Sequence, residues 1–234
     1  VTEKTPLVLI PGLLCNERLW DHQIRHLADI AEISVGNTLE DDTISAMALR
    51  ILDAAPPRFA LAGLSMGGYV AQEIMRREPD RVERLALVDT SARADTAEAL
   101  KRRSGLIDLA TKGKFKGVTP RLLPLLIHPD RLEDQPLTSV IMGMAEKIGQ
   151  EVFVRQQNTI MGRIDGRPDL ARIAVPTIII CGREDALTPM EVQEELAAGI
   201  PGARLCVVEE CGHLAPMERP HAVTALMRDW LLRP

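Results

Sequence analysis

The chain has 234 residues, 33 acidic against 28 lysine and arginine side chains, and a formal net charge of −5. That length suits one large α/β domain or two small ones and is enough to bury a proper core. The acid excess argues against a nucleic-acid or anionic-membrane partner, and an aromatic content of 3% leaves few stacking platforms for bases or sugars. A small, uncharged or weakly anionic ligand is expected instead. The four cysteines, Cys15, Cys181, Cys206 and Cys211, lack metal-ligand spacing and read as reduced thiols. No apolar run approaches the roughly 20 residues of a membrane span. Val1 to Pro6 lead straight into a strand without a signal peptide, so the expectation is a cytoplasmic protein.

Leu7 to Ile10 is a short apolar run before Pro11-Gly12, the form of a fully buried parallel strand ending in a turn. A helix from Glu17 to about Asp29 follows, with Leu19, Trp20, Ile24 and Leu27 on one face, and then a strand from about Glu32 to Val35. Thr43 caps the next helix, which carries Ile44, Met47, Ile51 and Leu52 at helical spacing and stops at Pro56-Pro57. The strand from Phe59, a helix from Met66 to about Arg77 and a strand from Arg84 to Val88 complete a β-α-β-α-β-α-β pattern. That alternation means a doubly wound, mostly parallel sheet.

Between Ala92 and about Ile173 the alternation stops. Helical segments are expected over Ala97 to Thr111, Pro120 to Ile127, Leu137 to Ile148 and Gly149 to Met161, broken by Gly113, Pro129 and Pro136. Such a stretch cannot extend the sheet, and we expect residues 92–173 to form a helical lid inserted into a core made of 1–91 and 174–234. Alternation resumes with a strand from Pro176 to Cys181, a helix from Pro189 to about Ala198, a strand from Arg204 to Val208 and a last amphipathic helix from about Pro220 to Leu232.

The first of these strand ends to carry chemistry is Gly63-Leu64-Ser65-Met66-Gly67, a G-x-S-x-G pattern at a strand-to-helix turn. With 16 glycines in the chain, two flanking glycines fall around a given serine by chance in roughly 0.5% of cases. A serine held there in strained backbone geometry keeps Oγ open, and the following helix N-terminus favours a negative charge beside it. Ligands of open parallel sheets bind at the carboxyl ends of the strands. Two further loops at that edge carry Asp185, in Gly182-Arg-Glu-Asp, and His213, after Cys211-Gly212. Glu184 and Asp89 are the other acids that could orient the histidine.

Taken together, these residues make the chain resemble the α/β-hydrolase fold family, and more narrowly its lidded serine esterases and enol-lactonases. The resemblance runs from Pro11-Gly12 to Glu218-Arg-Pro220, in the order Ser, Asp, His. It departs in having Pro11 where the family usually has histidine, and in lacking the family's usual first two strands. It implies Ser65 as nucleophile, His213 as base, Asp185 as its partner, and the backbone N–H groups of Leu13 and Met66 as oxyanion donors, with no cofactor and no metal. The function so implied is acyl-enzyme hydrolysis of a small ester or lactone. The same residues also serve carbon–carbon bond hydrolysis, perhydrolysis and acyl transfer, and a small-ligand receptor on the same fold is the rival class. His22 and His26, at i and i+4, read as a surface face, and His128 as structural.

Overall fold

The computed structural model describes residues 4–233. Val1 to Glu3, expected to lead into the first strand, lie outside the described residues. Six strands form one sheet: β1 Thr5–Ile10, β2 Ala31–Val35, β3 Phe59–Leu64, β4 Val82–Val88, β5 Thr177–Gly182 and β6 Arg204–Val208. Their order is β2-β1-β3-β4-β5-β6, and every neighbouring pair is parallel. The chain therefore starts inside the sheet, steps out to β2, and crosses back to β3 on the other side of β1. This reversal opens a crevice at the carboxyl ends of β1 and β3, where such sheets take their ligands.

Side-chain alternation sorts the core into two layers. Leu7 and Leu9 of β1, with Ala60, Ala62 and Leu64 of β3, pack with Leu27 of α1 Asp21–Leu27 and with Val223, Met227 and Trp230 of the last helix, Pro220–Leu232. Val8 and Ile10, with Phe59 and Leu61, face the other way, onto α2 Ile44–Ala54 and α3 Met66–Arg77. The central strands β1, β3, β4 and β5 are buried on both faces over most of their length, which is why they read as apolar runs, whereas the edge strand β2 exposes Glu32 and Ser34. The Thr43 side chain accepts from Ala46 N–H and caps α2 as its sequence predicts.

Residues 92–173 contribute no strand to the sheet. They hold α4 Ala97–Leu109 and α5 Gln135–Met161. The two helices expected over Leu137 to Ile148 and Gly149 to Met161 meet end to end in α5, with Gly149 at φ 81°, ψ 176° making the kink between them. Pro136, expected to break the chain, sits instead in the first turn of α5, where a missing N–H costs nothing. The helix expected over Pro120 to Ile127 is only a single tight turn, Leu123–Leu125. Pro124 removes one donor and Pro120 cannot extend the segment backwards, so a longer helix has too few hydrogen bonds. Later come α6 Met190–Gly199, a one-turn helix α7 Ala215–Glu218 and the last helix, α8. No helix among the described residues is long and apolar enough to cross a membrane.

Candidate active site

Ser65 joins β3 to α3 at φ 53°, ψ −113°, a conformation that costs a non-glycine residue about 1–3 kcal/mol. The glycines around it are there for backbone contact. A Cβ on Gly67 would stand 2.2 Å from the Ile10 carbonyl oxygen, and one on Gly63 would stand 2.3 Å from that of Gly67. Only with both absent can α3 start this close to β1 and β3. Thr90 Oγ1 donates to the Ser65 carbonyl (2.8 Å), and Ser65 N–H donates to Val88 O (3.0 Å), so the next strand anchors the turn. The serine is half-buried rather than fully exposed.

Beside it runs the loop after β1. Gly12 lies against Ser65, a Cβ on it falling 3.4 Å from the serine Cβ. Cys15 N–H donates to Gly12 O (3.1 Å) and closes a turn with Leu13 and Leu14 at its centre. Leu13 N–H has no acceptor among the described residues. Met66 is the first residue of α3, so its N–H has no partner within the helix. Both residues adjoin the serine at the topological reversal, Leu13 through Gly12 and Met66 through the chain itself.

At the carboxyl ends of β5 and β6 stands a buried pair. His213 Nδ1 lies 2.8 Å from Asp185 Oδ2. Thr188 Oγ1 donates to the same oxygen at 2.5 Å, while Leu187 N–H (2.8 Å) and Thr188 N–H (3.0 Å) donate to Oδ1. Burial pushes the Asp185 carboxyl up, but the His213 ring, its hydrogen bond and the two Thr188 donors outweigh it and hold the group below its ordinary value. Neither Ser65 Oγ nor His213 Nε2 has a hydrogen-bond partner among the described residues, and neither is sealed from solvent.

Two more buried carboxylates hold these loops, and neither touches the imidazole. Asp89, at φ 42° after β4, accepts from Gly182 N–H (2.8 Å) and Ala215 N–H (3.2 Å). Burial first, and then the Asp185 charge, pushes its carboxyl well above the ordinary value. Glu218 Oε1 accepts from Gly212 N–H (3.0 Å) and Leu214 N–H (3.3 Å), one on each side of His213, and Oε2 accepts from His128 N–H (2.6 Å). Burial raises this group too, against those three donors. The exposed Glu184 side chain reaches Cys211 N–H at 3.0 Å, away from the ring. Of the acids weighed from sequence, only Asp185 pairs with His213.

Sequence reasoning passed over Thr188, and gave Glu218 no role beyond its place in a motif. The spacing of Glu218 five residues past the histidine was the only available signal.

The remaining candidates fall elsewhere. The His22 ring lies tilted against His26 at 4.2 Å and edge-on to His221 at 4.5 Å, but no group of three or more His, Cys, Asp or Glu among the described residues is arranged to hold a metal ion. His128 accepts from Asp130 N–H and caps a short turn. All four cysteines are free, and burial raises the Cys15 and Cys181 thiols to about 12, so neither is a ready nucleophile. A cleft of about 260 Å³ beside α3 contains none of Ser65, Asp185 or His213, and its Arg76, Arg93 and Arg163 are already paired with Glu73, Glu195 and Asp95.

A model described as the alpha/beta hydrolase family matches residues 7–226. The chain is 29% identical to a thermophilic esterase from Thermogutta terrifontis, superposing with a TM-score of 0.87 over 97% of this chain and 89% of that one. The enol-lactonase from Burkholderia xenovorans LB400, 24% identical, superposes with a TM-score of 0.88 over 99% and 92%, and shows the shared fold. A pimeloyl-[acyl-carrier protein] methyl ester esterase of Neisseria meningitidis is 29% identical over 178 residues, 73% of this chain and 68% of that protein.

Proposed function

The chain belongs to the alpha/beta hydrolase family, and on that premise we propose that it is a serine hydrolase that cleaves a small carboxylic ester or lactone through an acyl-enzyme. The observation that carries the reading is the buried Asp185–His213 pair on the sheet edge where Ser65 stands strained at a helix N-terminus. The esterases and the enol-lactonase among its relatives support the substrate class.

In this reading Ser65 Oγ attacks the carbonyl carbon and His213 Nε2 takes its proton. Asp185 fixes the Nδ1–H tautomer and stabilises the imidazolium that forms. The oxygen that becomes negative is held by Leu13 N–H and Met66 N–H, each worth about 10²–10³ in rate, with the α3 dipole behind the second. His213 then returns the proton to the leaving alkoxide. Water, deprotonated by the same nitrogen, attacks the acyl carbon and frees the acid and Ser65. Apo enzymes often hold serine and histidine beyond bonding distance until substrate arrives, which accommodates the open Ser65 and His213 side chains.

Residues 92–173 serve in this reading as the lid that shapes the acyl and alcohol pockets. Leu106, Ala110, Phe115, Ala145 and Phe153 gather over Leu13 and Leu14, and Phe115 and Phe153 pack at 5.1 Å. Leu122, in the same segment, is exposed. The lid is pinned to the core where Leu126 O accepts from His213 N–H (3.0 Å), and its two ends are tied to each other where Gly166 N–H donates to Ala92 O (2.7 Å). Movement is therefore expected between these anchors, with Gly113 at φ 71° and Gly149 at φ 81° as pivots. The deciding experiment is turnover of p-nitrophenyl esters of graded chain length and of simple lactones by the wild type and by Ser65→Ala. Loss of all turnover in the variant supports the reading, and retention within about tenfold removes Ser65 as nucleophile.

A further inference from the structure

We propose that Gln156, from the inserted segment, is a positioning residue for the oxyanion donor Leu13, an inference that rests on the serine-hydrolase reading above. Gln156 is on α5, fully buried, and 142 residues from the loop it touches. Its Oε1 accepts from Leu14 N–H at 3.0 Å and its Nε2 donates to Thr38 O at 3.1 Å. One amide thus spans from the end of the insertion to two loops of the core.

The turn it grips needs such a hold. Cys15 N–H to Gly12 O closes a β-turn in which Leu14 occupies the third position at φ 57°, while Leu13 keeps a negative φ. That is the pattern of a type II turn, which favours glycine at the position where Leu14 stands. Leucine disfavours the left-handed region, because Cβ crowds the following carbonyl. Left to itself the turn would relax toward type I by flipping the Leu13–Leu14 peptide, the rotation that carries Leu14 φ negative. A flip turns Leu14 N–H away and swings the Leu13 carbonyl round in its place. Gln156 Oε1 opposes this directly, since it would lose a donor and meet a carbonyl oxygen instead. Thr38 O, by accepting from Nε2, fixes which end of the amide faces the turn.

The Leu13 N–H belongs to the preceding Gly12–Leu13 peptide, and Gln156 bears on it by anchoring the turn as a whole: without that anchor the turn, and the Gly12–Leu13 peptide with it, can shift against Ser65. An oxyanion donor acts only when its direction is set before charge develops. Gln156 therefore bears on the rate of the chemical step, and the insertion contributes to it as well as to substrate choice.

The test compares Gln156→Met, which keeps chain length but removes both hydrogen bonds, with Gln156→Glu, which as the neutral acid keeps an acceptor for Leu14 N–H and an O–H donor for Thr38 O. Gln156→Asn, too short to reach both partners, reads the same loss should the methionine variant fail to fold. With p-nitrophenyl acetate, Gln156→Met or Gln156→Asn is expected to lower kcat by about 10–100-fold with KM within about twofold, part of what a whole donor supplies. Affinity for an alkyl trifluoromethyl ketone, whose serine adduct carries the oxyanion, falls by a similar factor. Gln156→Glu recovers most of the kcat. A folded Gln156→Met or Gln156→Asn protein with a lower melting temperature but wild-type kcat and ketone affinity overturns the inference, leaving Gln156 a purely structural bridge. Ser65→Ala, assayed alongside, separates the two levels: an active Ser65→Ala protein removes the serine reading and this inference with it, whereas an inactive one beside a wild-type Gln156→Met removes this inference alone.

Discussion

Replacing Asp185 by asparagine is expected to cost about 10³–10⁴ in kcat, and the hydrogen bonds around it show why. Four donors converge on the carboxylate: Leu187 N–H and Thr188 N–H on Oδ1, Thr188 O–H and His213 Nδ1 on Oδ2. Asparagine has one oxygen, and the two backbone donors cannot turn away, so that oxygen goes to them. The amide nitrogen then faces His213 Nδ1, which must become an acceptor. The ring proton moves to Nε2, the atom that receives the Ser65 proton in the proposed mechanism. The loss is one of tautomer and of imidazolium stabilisation together, worth about 4–5.5 kcal/mol of barrier for that drop in rate. Steady-state hydrolysis of p-nitrophenyl acetate at neutral pH measures it, with KM expected to change little. The pH dependence of stability gives a second readout. Asp185 sits below its ordinary value in the folded protein, so its contribution is full above the unfolded value near 4 and is lost as pH falls through the folded value. Asp185→Asn should remove that part of the acid sensitivity in urea titrations. A drop in kcat under tenfold, or a larger drop for Asp89→Asn, would refute the assignment.

Glu218→Gln keeps one oxygen for the Gly212 and Leu214 N–H groups and turns its amide nitrogen toward His128 N–H, so it is expected to lose about 1–3 kcal/mol in urea unfolding by leaving that donor unpaired. Asp89 has the opposite sign to Asp185: its folded value is raised, so its contribution to stability falls as pH rises from about 4 toward that value, and Asp89→Asn should flatten the slope in the same titrations. Gly67→Ala should prevent stable folding or abolish activity, since its Cβ meets a backbone oxygen at 2.2 Å, whereas Gly105→Ala, in α4 with nothing within 4 Å, should stabilise by about 0.5–1 kcal/mol on thermal or urea unfolding. Equal effects at the two glycines would show that backbone approach does not decide their cost.

How much of this was legible in the sequence follows from where each signal is stored. The central strands were readable because burial on both faces leaves continuous apolar runs, and α2 and α3 because one face of each is apolar and their ends are marked by Thr43 and by the glycines around Ser65. The positions of Ser65, Asp185 and His213 past three strand ends were readable for the same reason. The insertion was read less well. Its apolar residues contact each other and the Leu13–Leu14 loop instead of a flat sheet, so helical spacing does not say which way Leu122 points. Pro136 could equally stop a helix or open one, and only the capping by Asp134 decides. Gln156 was invisible: a polar residue in a helix pattern reads as solvated, and its two partners lie over a hundred residues away.

The buried carboxylates explain how three separate loops come to present one imidazole. A histidine between Asp89, Asp185 and Glu218 would be surrounded by like charges if all three were ionised, and such a cluster is costly to bury. The fold divides the burden by partner type. Asp185 receives the His213 ring and a hydroxyl along with two backbone donors, and its charge is favoured. Asp89 and Glu218 receive only backbone N–H groups, and burial pushes both toward the neutral form. The charge that stabilises an imidazolium is thereby placed on the one acid in contact with Nδ1, while the other two hold the β4, β5 and β6 loops in register through neutral peptide groups. Asp89 stands at a strand end as good as that of Asp185, and chain position alone does not separate them. What separates them is contact: Asp89 turns its oxygens to Gly182 N–H and Ala215 N–H, whereas Asp185 Oδ2 lies 2.8 Å from His213 Nδ1.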